Sequence, residues 1–313
     1  MFILNRDLCN WVKFVAAILV AISHYSTVIV INNNWSDCEL LRFFCQGGYI
    51  GVAIFFFLSG YGLMESESRQ HLSFRSFLRK RFARVYIPVL LVTLVWIPLW
   101  CFFVADANWK IGPVDIIYYL FWDFRDPVLW FIKILFFLYL IFYLYTLLRS
   151  QNRRISANLA LILGTLATTY CAMIMGYPYI SIPLFALGVY SSVFKENFRG
   201  LTCYFMILLM AFVYSIWFLI TRDSNPAHGL VNSLTLLVVL LFVRVLDKRN
   251  FTISLNSNQV SFLLTVTFAV YLVHYKVLDL MVANWGYISF ISWLFVTIVI
   301  TLITAYLIRL FRI

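Results

Sequence analysis

The chain of 313 residues is 63 % hydrophobic and 12 % charged, where a soluble protein carries about a quarter charged residues. A water-soluble fold has too little polar surface to cover that much apolar area, so lipid is the solvent for most of the chain. The net charge of +11 is spread in short clusters between apolar stretches, which excludes a nucleic-acid-binding domain and fits loops obeying the positive-inside rule.

A membrane helix needs about 20 mostly apolar residues. On that measure the sequence predicts an all-α, polytopic membrane protein with ten transmembrane helices, at 9–31, 47–65, 85–105, 128–148, 157–175, 178–194, 201–220, 230–246, 260–281 and 287–308. Arg6 and Lys13 precede the first apolar run as in a secretory signal, but no small-x-small cleavage site follows, so this helix is retained. The fifth and sixth spans are separated only by Met175, Gly176, Tyr177 and Pro178, a tight hairpin. The longest loop on the outer side, 106–127, mixes aromatic, aliphatic and acidic residues and reads as an interfacial helix.

Orientation follows from the basic residues. One set of loops and ends holds Arg69, Arg75, Arg79, Lys80, Arg81, Arg84, Arg149, Arg153, Arg154, Lys195, Arg199, Lys248, Arg249, Arg309 and Arg312, whereas the opposite loops hold Arg42, Lys110, Arg125 and Arg222. The rule then places both termini in the cytoplasm. Residues 1–313 read as a single transmembrane domain with no appended soluble domain. The six cysteines lack metal-ligand spacing, so no metal is expected; Cys38 and Cys45 share one outer loop, where a disulfide is open but not set by spacing.

Ionisable groups inside a span are costly and are functional candidates by default. His71 and His228 read as solvated loop residues, whereas His24 and His274 lie inside apolar spans. Lys13 and His24 are eleven residues apart, close to three helical turns, so they share a face with about 16 Å between them. On the second helix, Phe55 to Gly62 sets Ser59, Gly60 and Gly62 beside a bulky aromatic run, a small-residue surface for close helix contact. Arg81 and Arg84 are i,i+3 at the expected start of the third helix, where the macrodipole disfavours cations and a bound polyanion would offset the repulsion. Trp130 opens the fourth helix. On the ninth, Tyr271 and His274 share a face, and Lys276 and Asp279 are spaced to pair.

Together these motifs resemble the membrane acyltransferase-3 family, which O-acylates bacterial surface sugars. The match is ordered along nearly the whole chain: Lys13 and His24 as basic-x10-His, Phe56 to Gly60 as Phe-Phe-x-x-Ser-Gly, and Arg81 and Arg84 as Arg-x-x-Arg before Pro88. Leu129 to Phe131 supply Leu-Trp-Phe, and Tyr271 to His274 supply Tyr-Leu-x-His. Lys13 stands where Arg is also common in the family, and the esterase-like C-terminal module of some members is not expected here.

The resemblance implies a bacterial inner-membrane enzyme that takes an acyl group, usually acetyl, from cytoplasmic acyl-CoA. The group goes to a hydroxyl of a cell-surface glycan or its lipid-linked precursor. Lys13, Arg81 and Arg84 would meet the CoA phosphates. His24 would act as general base or accept the acyl group itself, with Ser59 and His274 as further catalytic candidates and Tyr271 and Trp130 as substrate contacts. Membrane lipid, acyl-CoA and a carbohydrate acceptor are the expected partners. The rival reading is a transporter or flippase for a sugar or lipid intermediate, against which stand the lack of repeated halves and of paired broken helices. A third is a structural partner in polysaccharide assembly.

Overall fold

The computed structural model describes residues 5–33, 43–45, 47–103, 128–194, 201–249, 255–285 and 288–310. Ten helices follow one another among these residues, with no strand. They are α1 (Arg6–Asn33), α2 (Gly47–Arg69), α3 (Phe74–Phe103), α4 (Leu129–Ser150) and α5 (Arg154–Ile174). Then come α6 (Leu184–Val193), α7 (Leu201–Thr221), α8 (Ser224–Lys248), α9 (Ser257–Trp285) and α10 (Phe290–Leu310). Nine of the ten are long and apolar enough to cross a membrane. The chain is therefore a multi-pass, all-helical membrane protein. The expected interfacial helix at 106–127, Cys38, and the outer-loop Trp35, Trp109 and Trp122 lie outside the described residues.

The exception is α6. Its ten residues rise only about 15 Å, half the hydrocarbon thickness, so the expected sixth span at 178–194 is too short as a regular helix. Pro178 and Pro183 explain the shortening, since each removes a backbone donor from the stretch that would have begun the helix. Tight i,i+3 bonds, Ile182 N–H to the Tyr179 carbonyl and Phe185 N–H to the Ile182 carbonyl, fill the gap.

Two further expectations shift. The third helix begins eleven residues early, at Phe74, so Arg81 and Arg84 sit two turns inside it rather than at its start. The macrodipole acts mainly over the first turn and no longer argues for an anion there. His228, expected in a loop, lies in the first turns of α8, half-buried and stacked 4.5 Å from the Tyr49 ring.

The helices pack as two compact units. One comprises residues 1–16, 49–72 and 134–256; the other comprises 17–48, 73–133 and 257–313. In the first, α2 and α6 meet backbone to backbone. A Cβ at Gly60 would lie 2.0 Å from the Phe185 carbonyl oxygen, and one at Gly188 would lie 2.1 Å from that of Phe57. This is the close contact expected of the small-residue surface around Gly60. One turn on, Ser192 Oγ donates to Glu65 Oε1 at 2.6 Å. The turn ahead of α6 is tied down by Tyr214 Oη to the Ile180 carbonyl (2.7 Å) and by buried Asn232 to Ser181 Oγ (2.9 Å).

The second unit is built on α9, which packs with α1, α3 and α10. Along α9, Thr267, Tyr271, His274, Leu278 and Met281 are all buried. Their alternating four- and three-residue steps form a continuous seam of the coiled-coil kind. On α10 the buried residues Trp293, Thr297, Thr301 and Ala305 recur every fourth position, while Ile291, Phe295, Ile298 and Leu302 are exposed. The outward face is thus more apolar than the inward one, the reverse of a soluble helix, because lipid is the outer solvent.

Candidate active site

Both intramembrane histidines fall in the second unit, and the fold brings them together. Ala17, Ala21, Tyr25 and Ile29 form the buried seam of α1, and Tyr25 and Ile29 pack with Val277, Leu278 and Met281 of α9. His24 lies at the edge of this seam, half-buried, whereas His274 is 0 % exposed. His24 Nδ1 is 2.8 Å from His274 Nε2, with the two rings within 9° of coplanar.

The protonation pattern of the neutral pair follows from a third atom. His274 Nδ1 is 2.8 Å from the carbonyl oxygen of Val270, one turn earlier on α9. A carbonyl only accepts, so Nδ1 of His274 carries its proton and Nε2 carries the lone pair. His24 Nδ1 must then donate across the pair, which puts the His24 lone pair on Nε2. An imidazole oriented through Nδ1 with its basic nitrogen at Nε2 is the arrangement of a general base held by a second group.

Surrounding residues fix this geometry. Tyr25 donates to the Ile288 carbonyl at 2.9 Å and stacks 4.8 Å from Trp293, whose Nε1 lies 3.4 Å from the His274 carbonyl. The segments just after His24 and at His274 are therefore tied to the same tryptophan, itself 1 % exposed. Tyr275 sets its ring edge-on to His24 at 5.3 Å. Reading the sequence missed Tyr275: it is one of 19 tyrosines, and only its place next to His274 marked it.

The remaining candidates divide between the units. In the second, Tyr271 is 6.2 Å from His274 ring to ring and donates its hydroxyl to the Val128 carbonyl at 2.8 Å. Its ring meets Phe131 at 5.6 Å, which in turn meets Trp130 edge-on at 6.2 Å. Tyr271 and Trp130 are both buried, at 4 % and 6 % exposure, and together they support the His274 side of the pair. Arg81 is half-buried with its guanidinium 5.8 Å over the Phe77 ring, and Arg84 is exposed. Lys13 and Ser59 belong to the first unit, each half-buried; Ser59 precedes the Gly60 contact. Among the described residues no cluster of three or more His, Cys, Asp or Glu could hold a metal ion.

A family model described as an acyltransferase domain, acyltransferase-3, matches residues 9–310, nearly the whole chain. Searches of curated proteins and of solved structures returned no match. The matched stretch contains both histidines and every helix from α2 to α10, and with it the chain is placed as a member of the acyltransferase-3 family, a multi-pass membrane acyltransferase.

Proposed function

We propose that this acyltransferase moves an acyl group, acetyl in the simplest case, from cytoplasmic acyl-CoA to a hydroxyl of a cell-surface glycan or its lipid-linked precursor. The setting is a bacterial inner membrane. The observation that carries the reading is the His24–His274 hydrogen bond, with His274 Nδ1 tied to the Val270 carbonyl.

In the proposed step, the acceptor hydroxyl gives its proton to His24 Nε2 as its oxygen attacks the thioester carbonyl carbon. The positive charge on His24 is shared across the 2.8 Å bond with His274. His274 accommodates it because its Nδ1–H already points at the Val270 carbonyl oxygen. Collapse of the tetrahedral intermediate breaks the carbon–sulfur bond, and the His24 Nε2 proton goes to the departing thiolate, leaving ester and free CoA. His24 is taken here as general base, the alternative being His24 as acyl carrier.

Arg81 and Arg84, one turn apart on α3, supply cations for the CoA phosphates. The motif resemblance assigns Lys13 to the same phosphates and Ser59 to the developing oxyanion, and each assignment rests on the motif alone.

The test is label transfer from radiolabelled acetyl-CoA to a cell-surface glycan fraction by the purified full chain, beside a folded His24→Ala variant. Transfer by the wild type and a loss of about 10²-fold or more in the variant is the expected result. Equal transfer by both would remove His24 from the chemistry, and failure of acetyl-CoA to bind would favour the transporter.

A further inference from the structure

Of the four aromatic residues described around the histidine pair, three are sealed in the core. Tyr25, Tyr271 and Trp293 are buried, and each is committed to the folded chain through its polar atom. Tyr275 differs. Like His24 it is half-buried, and its ring lies 5.3 Å from the imidazole at 81° to it. The surface that Tyr275 keeps is a local opening, because its α9 neighbours one turn away, Tyr271, Leu272 and Leu278, are all buried. The remaining neighbour, Asp279, is half-buried and polar. A lipid-facing stripe carries apolar residues instead, as α10 does at Ile291, Phe295 and Leu302. Since His274 is fully buried, the accessible surface among the described rings at the pair is that of His24 and Tyr275.

The direction of approach adds to this. The lone pair of His24 Nε2 lies in the imidazole plane, so an acceptor hydroxyl comes in along that plane, to about 2.8 Å. Tyr275 stands across the plane, its ring centre close enough to meet the acceptor atoms next to that hydroxyl. Chemistry then separates two acceptor classes. A sugar ring carries hydroxyls on its rim and an apolar C–H face, and a tyrosine answers both with a flat apolar body and a polar tip. Its ring also costs little side-chain entropy to hold in place. A plain alkyl alcohol needs only apolar contact, which an aliphatic side chain supplies equally well.

We propose that Tyr275 binds the acceptor, its ring packing against the C–H face of the sugar whose hydroxyl reaches His24 Nε2. This rests on the acyltransfer reading and narrows it: the reacting hydroxyl belongs to a sugar ring, not to a bare lipid alcohol.

The test uses the purified full chain, radiolabelled acetyl-CoA and a cell-surface glycan fraction to which the wild type transfers label. Tyr275→Leu should raise the half-saturating glycan concentration about tenfold, the loss expected of one aromatic contact. The half-saturating acetyl-CoA concentration should change less than about twofold. Tyr275→Phe, which keeps the ring, should bring the glycan value back to within about twofold of wild type. A merely structural ring would instead lower kcat through His24 with the glycan value unchanged, and that result would overturn the proposal. So would a raised acetyl-CoA value beside an unchanged glycan value, which assigns the ring to the donor. The wild type gives a reading that needs no variant. Hydroxyl-radical labelling of Tyr275 should fall when the glycan fraction is added, whereas that of Tyr170, 60 % exposed on α5, should not. Unchanged labelling of Tyr275 would also sink the assignment. Transfer that Tyr275→Leu leaves untouched would remove the sugar contact and keep the acyltransferase; a wild type that cleaves no thioester would remove the acyltransfer reading and this inference with it.

Discussion

His24 Nδ1 and His274 Nε2, 250 residues apart in sequence, lie 2.8 Å from each other, and the Val270 carbonyl decides which of them donates. In the proposed step His274 is therefore a positioning residue, fixing the tautomer of His24 and sharing the charge that would form there. His274→Ala should lower kcat by about 10²–10³-fold, in the range for losing the support of a catalytic base. The KM for acyl-CoA should change less than about twofold, since no ground-state contact to the donor is removed. Steady-state kinetics on a monodisperse variant reads both, and an unchanged kcat would remove His274 from the mechanism.

The α2–α6 crossing offers a test with an internal control. At Gly60 the obstacle is the Phe185 backbone oxygen, which cannot swing aside as a side chain would. Gly60→Ala and Gly188→Ala should each force the helices apart, costing upwards of about 1–3 kcal/mol. Gly62, two residues on, has nothing within 4 Å of a built Cβ. Gly62→Ala should be neutral or stabilising by roughly 0.5–1 kcal/mol through helix propensity. Apparent Tm in detergent ranks the three, and a Gly60→Ala protein as stable as wild type would contradict the contact.

At the end of α5, Gly176 has φ +74°, and Tyr177 N–H reaches back to the Ala172 carbonyl while Gly176 N–H reaches that of Met173. This is a Schellman ending, which needs a left-handed residue. No atom lies within 4 Å of a Cβ built there, so Gly176→Ala carries backbone strain alone, about 1–2 kcal/mol. Gly176→Asn should lose less, because Asn tolerates that region. Equal losses for Ala and Asn would mean the turn opens instead.

What could be read from the sequence depended on contrast with the apolar background. His24 and His274 stood out because an imidazole inside a span is rare, and the small residues around Gly60 stood out against three phenylalanines. Gly188 did not, because a single glycine in an apolar helix carries no mark of the backbone it will meet. Hydropathy counted residues 178–194 as a span because it has no term for the donors missing at Pro178 and Pro183. It likewise started the third helix late, since the charged turn from Phe74 to Arg84 is helical without being apolar. The Val270–His274–His24 relay was beyond sequence reasoning altogether: it depends on a bond between two helices at one rotational setting.

Asp223, between α7 and α8, gives a pH dependence outside the membrane spans. The backbone N–H of Asn225 donates to its carboxylate at 3.2 Å, and with the Asn225 side chain this holds its pKa below the ordinary 3.8. A carboxyl depressed in the folded state contributes stability above its unfolded pKa and loses it as pH falls through the folded value. Protection of the Asn225 amide should therefore hold at neutral pH and fade only below about pH 3.8. In Asp223→Ala the protection should be weaker at neutral pH and show no acid step. Amide exchange across that range checks both, and an acid step surviving in the variant would point to another carboxylate.

Tyr271 tests whether a residue one turn from His274 acts on substrate or on the pair. Its hydroxyl donates to the Val128 carbonyl at 2.8 Å, and its ring is 4 % exposed, leaving little surface for an acceptor. Tyr271→Phe leaves a buried carbonyl short of one donor, a loss of about 1–3 kcal/mol. It should lower the apparent Tm and reduce kcat several-fold as α9 loosens around His274, with the acceptor KM unchanged. A raised acceptor KM at unchanged Tm would instead place Tyr271 in contact with substrate. The two outcomes are separable because the hydroxyl bond to Val128 belongs to the folded chain whether or not acceptor is bound.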